Sequence, residues 1–451
     1  MVAYITGLGG TGAGYFADQD GQPRLLLGDE AWGLLANAGA WNSGDWQGTI
    51  SAYLAARAGQ GFTTMITSAL SFGGDGACVH TDGNDWDNLA PWVSAGDPSS
   101  GLNETFWARR DYLITTAASY GITVIMNPCF NLAFQGAGTA LNGKTATQFG
   151  DYGTNLGNRY KNFPNLMWIV GDDYFGTIDT ELTAFRTGLR GAGDTHALTI
   201  QNYQETTSRT DLFDGSHPPW GTSFAEFSWV YSYNVSYDGV EKAHLEASPL
   251  PLARGDGQFI VPGGAADALL QRSLAWWALS SGARGYNAGS ENVWRWEAGA
   301  AAAVTSDVFF ADGTAAHIRS VFESLQGWHL LIPDTSSLLV TAGRGTHRSP
   351  IVSGGGGTAY TGNSDAYVTA SRTASGSLAV IYLSHATTIT IDQTKMAAGY
   401  GAKWYDPASG AVQSATPGAT YNSAPLGNNS AGDPDWVLVL AVPPYATWAV
   451  P

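Results

Sequence analysis

The chain is 451 residues long, 44% hydrophobic and only 13% charged, with a formal charge of −17, 58 Gly and 17 Trp. That length exceeds one ordinary core and favours two or three domains. The acidic balance, with no basic run anywhere, excludes nucleic acid as a partner, because phosphate binding needs clustered Lys and Arg. In chain order, short apolar runs predict strands at Arg24–Gly28, Thr63–Ser68, Ile122–Asn127, Leu166–Gly171, His196–Gln201, Trp229–Asn234, Leu250–Arg254 and Arg284–Asn287. Runs this rich in Val, Ile and Leu suit strands buried on both faces. Helical periods intervene at Asp45–Ala58, Glu104–Tyr120, Ile178–Leu189 and Ala265–Ser281. The glycine run Gly7-Leu8-Gly9-Gly10-Thr11-Gly12 precedes the first predicted strand, so it does not read as a phosphate loop.

Strand and helix in alternation imply parallel strands with right-handed crossovers, and eight repeats fit a closed (β/α)8 TIM barrel better than an open sheet. Near residue 335 the texture changes. Strand-like alternations at Ser337–Thr341, Ala366–Arg372, Leu378–Ser384, Thr388–Asp392, Lys403–Asp406, Trp436–Val442 and Thr447–Val450, separated by Gly and Asn turns, predict a small all-β sandwich. The expected division is therefore a barrel over 1–335 and a sandwich over 336–451.

Barrel active sites gather at the C-terminal ends of the strands. Those ends carry Gly28-Asp29-Glu30, Ser68, Asn127, Asp172-Asp173-Tyr174, Gln201-Asn202-Tyr203, Tyr233-Asn234, Asp256 and Tyr286-Asn287. Carboxylates, amides and aromatic rings suit sugar recognition, and paired carboxylates are what glycosidic cleavage requires. Asp172 or Asp173 after the fourth strand and Asp256 after the seventh form the sharpest pair, although an Asp after a strand is often only a cap or turn former. Asp29, Asn127, Asn202, Tyr233, His217, Tyr286 and Trp294 are candidates for orienting the sugar. His217 also reads as a loop histidine, and most Trp residues as core. No G-x-S-x-G elbow follows a strand, and no His pair has metal-ligand spacing, so neither a serine nucleophile, a metal nor a cofactor is expected. Cys78 and Cys129 read as two separate buried thiols.

Several blocks resemble one family. Asp20-Gly21-Gln22-Pro23 with Leu27-Gly28-Asp29-Glu30-Ala31-Trp32, then Tyr53–Arg57 with Gln60-Gly61-Phe62, Asn165–Asp173, Ser216-His217-Pro218, and Gly285-Tyr286-Asn287 with Val293-Trp294 are similar to the apiosidase-like barrel family of glycoside hydrolases. Ala402–Gly410 and Asp435–Leu438 resemble that family's companion C-terminal domain, described as collagen-binding. The resemblance implies Asp173 as general acid and the seventh-strand position as nucleophile. That position usually holds Glu, whereas this chain has Asp256, whose carboxylate is set back by about 1.5 Å.

The expected function is a glycoside hydrolase acting on plant or microbial polysaccharide. A competing expectation is a glycan-binding protein on the same scaffold, such as a receptor-binding component of a phage tail, as a homo-oligomer or in virion assembly. It is motivated by the shorter Asp256, by the low-charge composition and by the first residues, which lack a classical signal peptide. The sequence leaves the location open and favours an extracellular or virion-associated one. No stretch approaches the roughly 18 apolar residues of a membrane span.

Overall fold

The structure is a computed structural model. It describes residues 2–10, 14–72, 78–129, 140–174, 178–202, 224–233, 235–246, 249–260, 267–307, 309, 312–347 and 366–443. Eight parallel strands form the N-terminal unit: β1 (Leu26–Asp29), β2 (Thr64–Ser68), β3 (Thr123–Asn127), β4 (Leu166–Tyr174), β5 (Leu198–Asn202), β6 (Ser228–Ser232), β7 (Leu252–Gly257) and β8 (Gly285–Ser290). β2 to β5 pair in sequence, as do β6, β7 and β8. The ring closes where β8 pairs with β1, where Ala31 N donates to Ile66 O beside β2, and where Glu226 N donates to Leu198 O between β5 and β6. All eight predicted strands are present, as a TIM barrel.

A hairpin of Ile5–Gly9 and Tyr15–Asp18 precedes the barrel. The glycine run thus lies partly in a strand, which the sequence reading did not foresee.

Side-chain alternation divides the core into three shells. Leu26, Ile66, Ile125, Met167, Ile169, Trp229 and Ala253 fill the barrel interior. Met65, Val124, Trp168 and Ile200 face outward against the helices. Val230, Leu252 and Tyr286 face outward against a third cluster that continues into the C-terminal unit. Helices cover the strands where the sequence supplies caps. Asp45 caps Trp46–Gly59, Asn103 caps Glu104–Ser119, and Thr145 with Gln148 forms a capping box on Ala146–Tyr160.

Among the described residues the C-terminal unit packs a six-stranded antiparallel sheet with a three-stranded one, as a β-sandwich. Its first strand, Ile332–Pro333, pairs with Thr369–Arg372. Val412–Ala415 and Thr420–Asn422 are strands additional to those predicted. The predicted strand at 447–450 lies outside the described residues. The helix Asp267–Ser280 joins the two units. On one side Gln271 Oε1 accepts from Tyr286 of β8 at 2.7 Å; on the other, Arg272 meets Asp435 at 2.8 Å and Ser273 meets Tyr382 at 2.9 Å.

Candidate active site

Two irregularities in the strand register place the acids. β4 and β5 pair up to Gly171 opposite Gln201, and the next pair is Tyr174 opposite Asn202. Asp172 and Asp173 are therefore two extra residues on β4. Gly171, Asp172 and Asp173 have φ of +84°, +104° and +48°, a region that non-glycine residues enter only when their surroundings hold them. Asn127 at the end of β3 supplies part of that hold, donating from Nδ2 to Gly171 O at 2.9 Å. On β7, Arg254 lies opposite Val230 while Gly257 lies opposite Ser232, so β7 carries one extra residue there. This bulge breaks the two-residue alternation just where Asp256 sits.

The acids meet through neutral groups. Gln201 Nε2 donates to Asp172 Oδ1 at 2.5 Å and to Asp256 Oδ2 at 2.9 Å, while Trp229 Nε1 fixes its other end by donating to Gln201 Oε1 at 2.9 Å. Gly257 N donates to Asp256 Oδ1 at 2.6 Å. The Tyr231 hydroxyl is hydrogen-bonded to Asp173. Glu30, after β1, brings its carboxyl within hydrogen-bonding reach of Asp256 and accepts from Asn287 Nδ2 at 2.9 Å.

Four carboxyl groups thus share one nearly dry site, and their environments differ. Burial, then the charge of Asp256, pushes Asp173 up to about 7 against the opposing Tyr231 hydroxyl. Burial, then Asp173 and Asp256, holds Asp172 well above the usual carboxylate range. Burial also raises Asp256, but it is opposed by the hydrogen bond from Glu30, the Arg254 guanidinium, the Gly257 N–H and the Gln201 amide. Asp256 is the best supplied with donors. Pairs of acids pushed apart in this way are the means by which one site holds both a proton donor and a carboxylate.

Residues 11–329 match the family model described as "Apiosidase-like, catalytic domain". The chain belongs to that family. Residues 358–441 match the model described as "Putative collagen-binding domain of a collagenase". Among solved structures the chain is similar to one titled "Glycoside hydrolase", with 17% identity, a TM-score of 0.72 and 98% of this chain covering 97% of that one. It is also similar to a glycoside hydrolase family 5 structure from Bacteroides vulgatus, with 17% identity, a TM-score of 0.73 and coverage of 100% and 98%. At that identity both likenesses speak to the fold. No curated protein matches the chain.

In this apiosidase-like barrel the sequence candidates divide by strand phase. Asp172, Asp173 and Asp256 come together, and Tyr233 feels the charges of Asp256, Asp173 and Glu30. Asn127 is fully buried and spends its amide on Gly171 O and Cys129 N, so it supports the bulge. Asn202 is half-buried at the last β5 pair. Trp294 stacks with Phe72 and packs against Phe259, residues that follow β2 and β7. Two candidates point away from the acids. Asp29 is bound by Arg57 Nε at 2.6 Å and the Tyr53 hydroxyl at 2.8 Å, and Tyr286 by Gln271. Their neighbours Glu30 and Asn287 face inward instead. His217 lies outside the described residues. Both cysteines are buried free thiols, and Trp92 and Trp107 are core.

Sequence reading did not select Glu30, Gln201, Trp229, Tyr231 or Arg254. Position at a strand end was the available signal for Glu30 and Gln201.

Proposed function

We propose that this protein hydrolyses a glycosidic bond in plant or microbial polysaccharide, with Asp173 as general acid and Asp256 as nucleophile or base. One observation carries the reading. Asp173 is poised to hold a proton near neutrality, while Asp256 collects donors from Gln201, Gly257 and Glu30 and faces Arg254. Glycosidic cleavage needs this asymmetry: one carboxyl protonates the leaving oxygen and the other meets the oxocarbenium-like centre directly or through water. Tyr233 and Trp294 supply ring faces for the sugar. Asp172, tied to Gln201, is the acid whose ionisation Asp173 and Asp256 disfavour in turn. The barrel acts as the catalytic unit, and the sandwich, whose first strand is Ile332–Pro333, as its companion.

The test is release of reducing sugar from a broad glycan panel by wild type, Asp173→Asn and Asp256→Asn. Each variant is expected to lose about 100- to 10,000-fold in turnover. Binding of a glycan without its cleavage by wild type would replace this reading with that of a glycan-binding protein.

A further inference from the structure

The Glu30 and Asp256 carboxyls lie within hydrogen-bonding reach of each other, at 1% and 5% exposure. Ionised carboxylates only accept, so a bond between the two requires one proton on one of them. The donor inventory says on which side. Asp256 has Gly257 N on Oδ1 and Gln201 Nε2 on Oδ2. Glu30 has Asn287 Nδ2 on Oε1, and among the described residues no group donates to its buried Oε2. Arg254 stands near both, yet its guanidinium bonds run to the carbonyls of Gly255, Asn287 and Ser232.

We infer that Glu30 is a positioning residue that keeps its proton and donates it from Oε2 to Asp256, fixing the short aspartate where a longer glutamate would otherwise reach. The inference rests on the proposed role of Asp256. Burial, followed by the charge of Asp256, pushes Glu30 in the same direction, against Arg254. Among the described residues, the titratable and charged groups within electrostatic reach of Glu30 are Asp256 and Arg254 from β7, Tyr233 beyond β6 and, on the outer side of the barrel wall, Tyr286 from β8. Two unpaired negative charges here would strain the site. A shared proton removes one.

Glu30→Gln reproduces the inferred state, with an amide oxygen for Asn287 and an N–H for Asp256. Its kcat/KM is expected to fall far less than that of Glu30→Ala. Glu30→Ala should lose about 10- to 100-fold, because a donor to a charged group is gone. The acid limb of its pH profile should move to higher pH, since Asp256 then ionises less readily. A second readout needs no substrate. In wild type a proton retained only in the fold makes stability fall as pH rises above the ordinary carboxyl value of about 4.3. The melting temperature of Glu30→Gln relative to wild type should therefore climb between pH 4 and 8. A flat or falling difference, or a Glu30→Gln variant as inactive as Asp256→Asn, would overturn the inference. Were wild type to cleave no glycan, the proposed function would fail while the thermal comparison still decided the state of Glu30.

Discussion

Arg57 Nε meets Asp29 Oδ2 at 2.6 Å, and both side chains are fully buried. The pair ties β1 to the helix Trp46–Gly59, and Arg57 continues to Gln60 and to the carbonyl of Val304 at 2.7 Å each. Asp29 and Glu30 are adjacent in sequence yet belong to different machinery, one outside the barrel wall and one inside. Asp29→Ala should take from the buried Arg57 the carboxylate at its Nε, destabilising the fold by about 3–5 kcal/mol. Denaturant titration checks this; a loss below about 1 kcal/mol would refute the structural assignment of Asp29.

The pH profile should show the acid directly. Asp173 is pushed up to about 7, so its proton is present below that value and lost above it. The basic limb of kcat/KM is expected near pH 7. The Tyr231 hydroxyl opposes the upward shift, so Tyr231→Phe should move that limb to higher pH. A limb that stays put would dissociate Tyr231 from the acid.

Gln201 donates to two carboxyls with one nitrogen. Gln201→Ala removes both bonds and frees the Trp229 N–H from its acceptor. An expected loss of about 10- to 100-fold in kcat/KM follows from losing a charge-assisted bond to Asp256. The acid limb should also rise. Kinetics across pH 4–8 separates this from simple unfolding, which would lower activity without moving the limb.

The helix Asp267–Ser280 should make the barrel and the sandwich unfold together. Arg272 reaches Asp433 at 2.7 Å and Asp435 at 2.8 Å, and the rings of Trp276 and Trp277 pack against Tyr382. Calorimetry of wild type is expected to give one transition. Arg272→Ala, which strands Asp435 in a buried setting, should split or lower it by an amount equivalent to about 3–5 kcal/mol. Two well-separated transitions in wild type would contradict the coupling.

Much of this arrangement was legible in the residues. LMWIVG and ITVIMN announce strands because both faces are buried, and the same property hides which face a given side chain takes. Strand ends could be located, but Asp29 could not be told from Glu30, nor Tyr286 from Asn287. The phase at Asp256 depends on an extra residue in β7, and Asp173 on two in β4. Such bulges depend on pairing between distant strands and leave no local periodic trace. Gln201 was visible as a strand-end amide, but its role requires Asp172 and Asp256 to arrive from 29 and 55 residues away.

The bulges also bear on how such a site can arise and be moved. Acids carried on supernumerary residues are a matter of chain length as much as of residue type. Removing one residue between Gly171 and Tyr174 would delete one of the two aspartates and shift the phase of the other, although nothing is substituted. Transplanting this pair onto another barrel would accordingly require copying two insertions, and descent within such barrels can switch chemistry on or off by single-codon gains and losses.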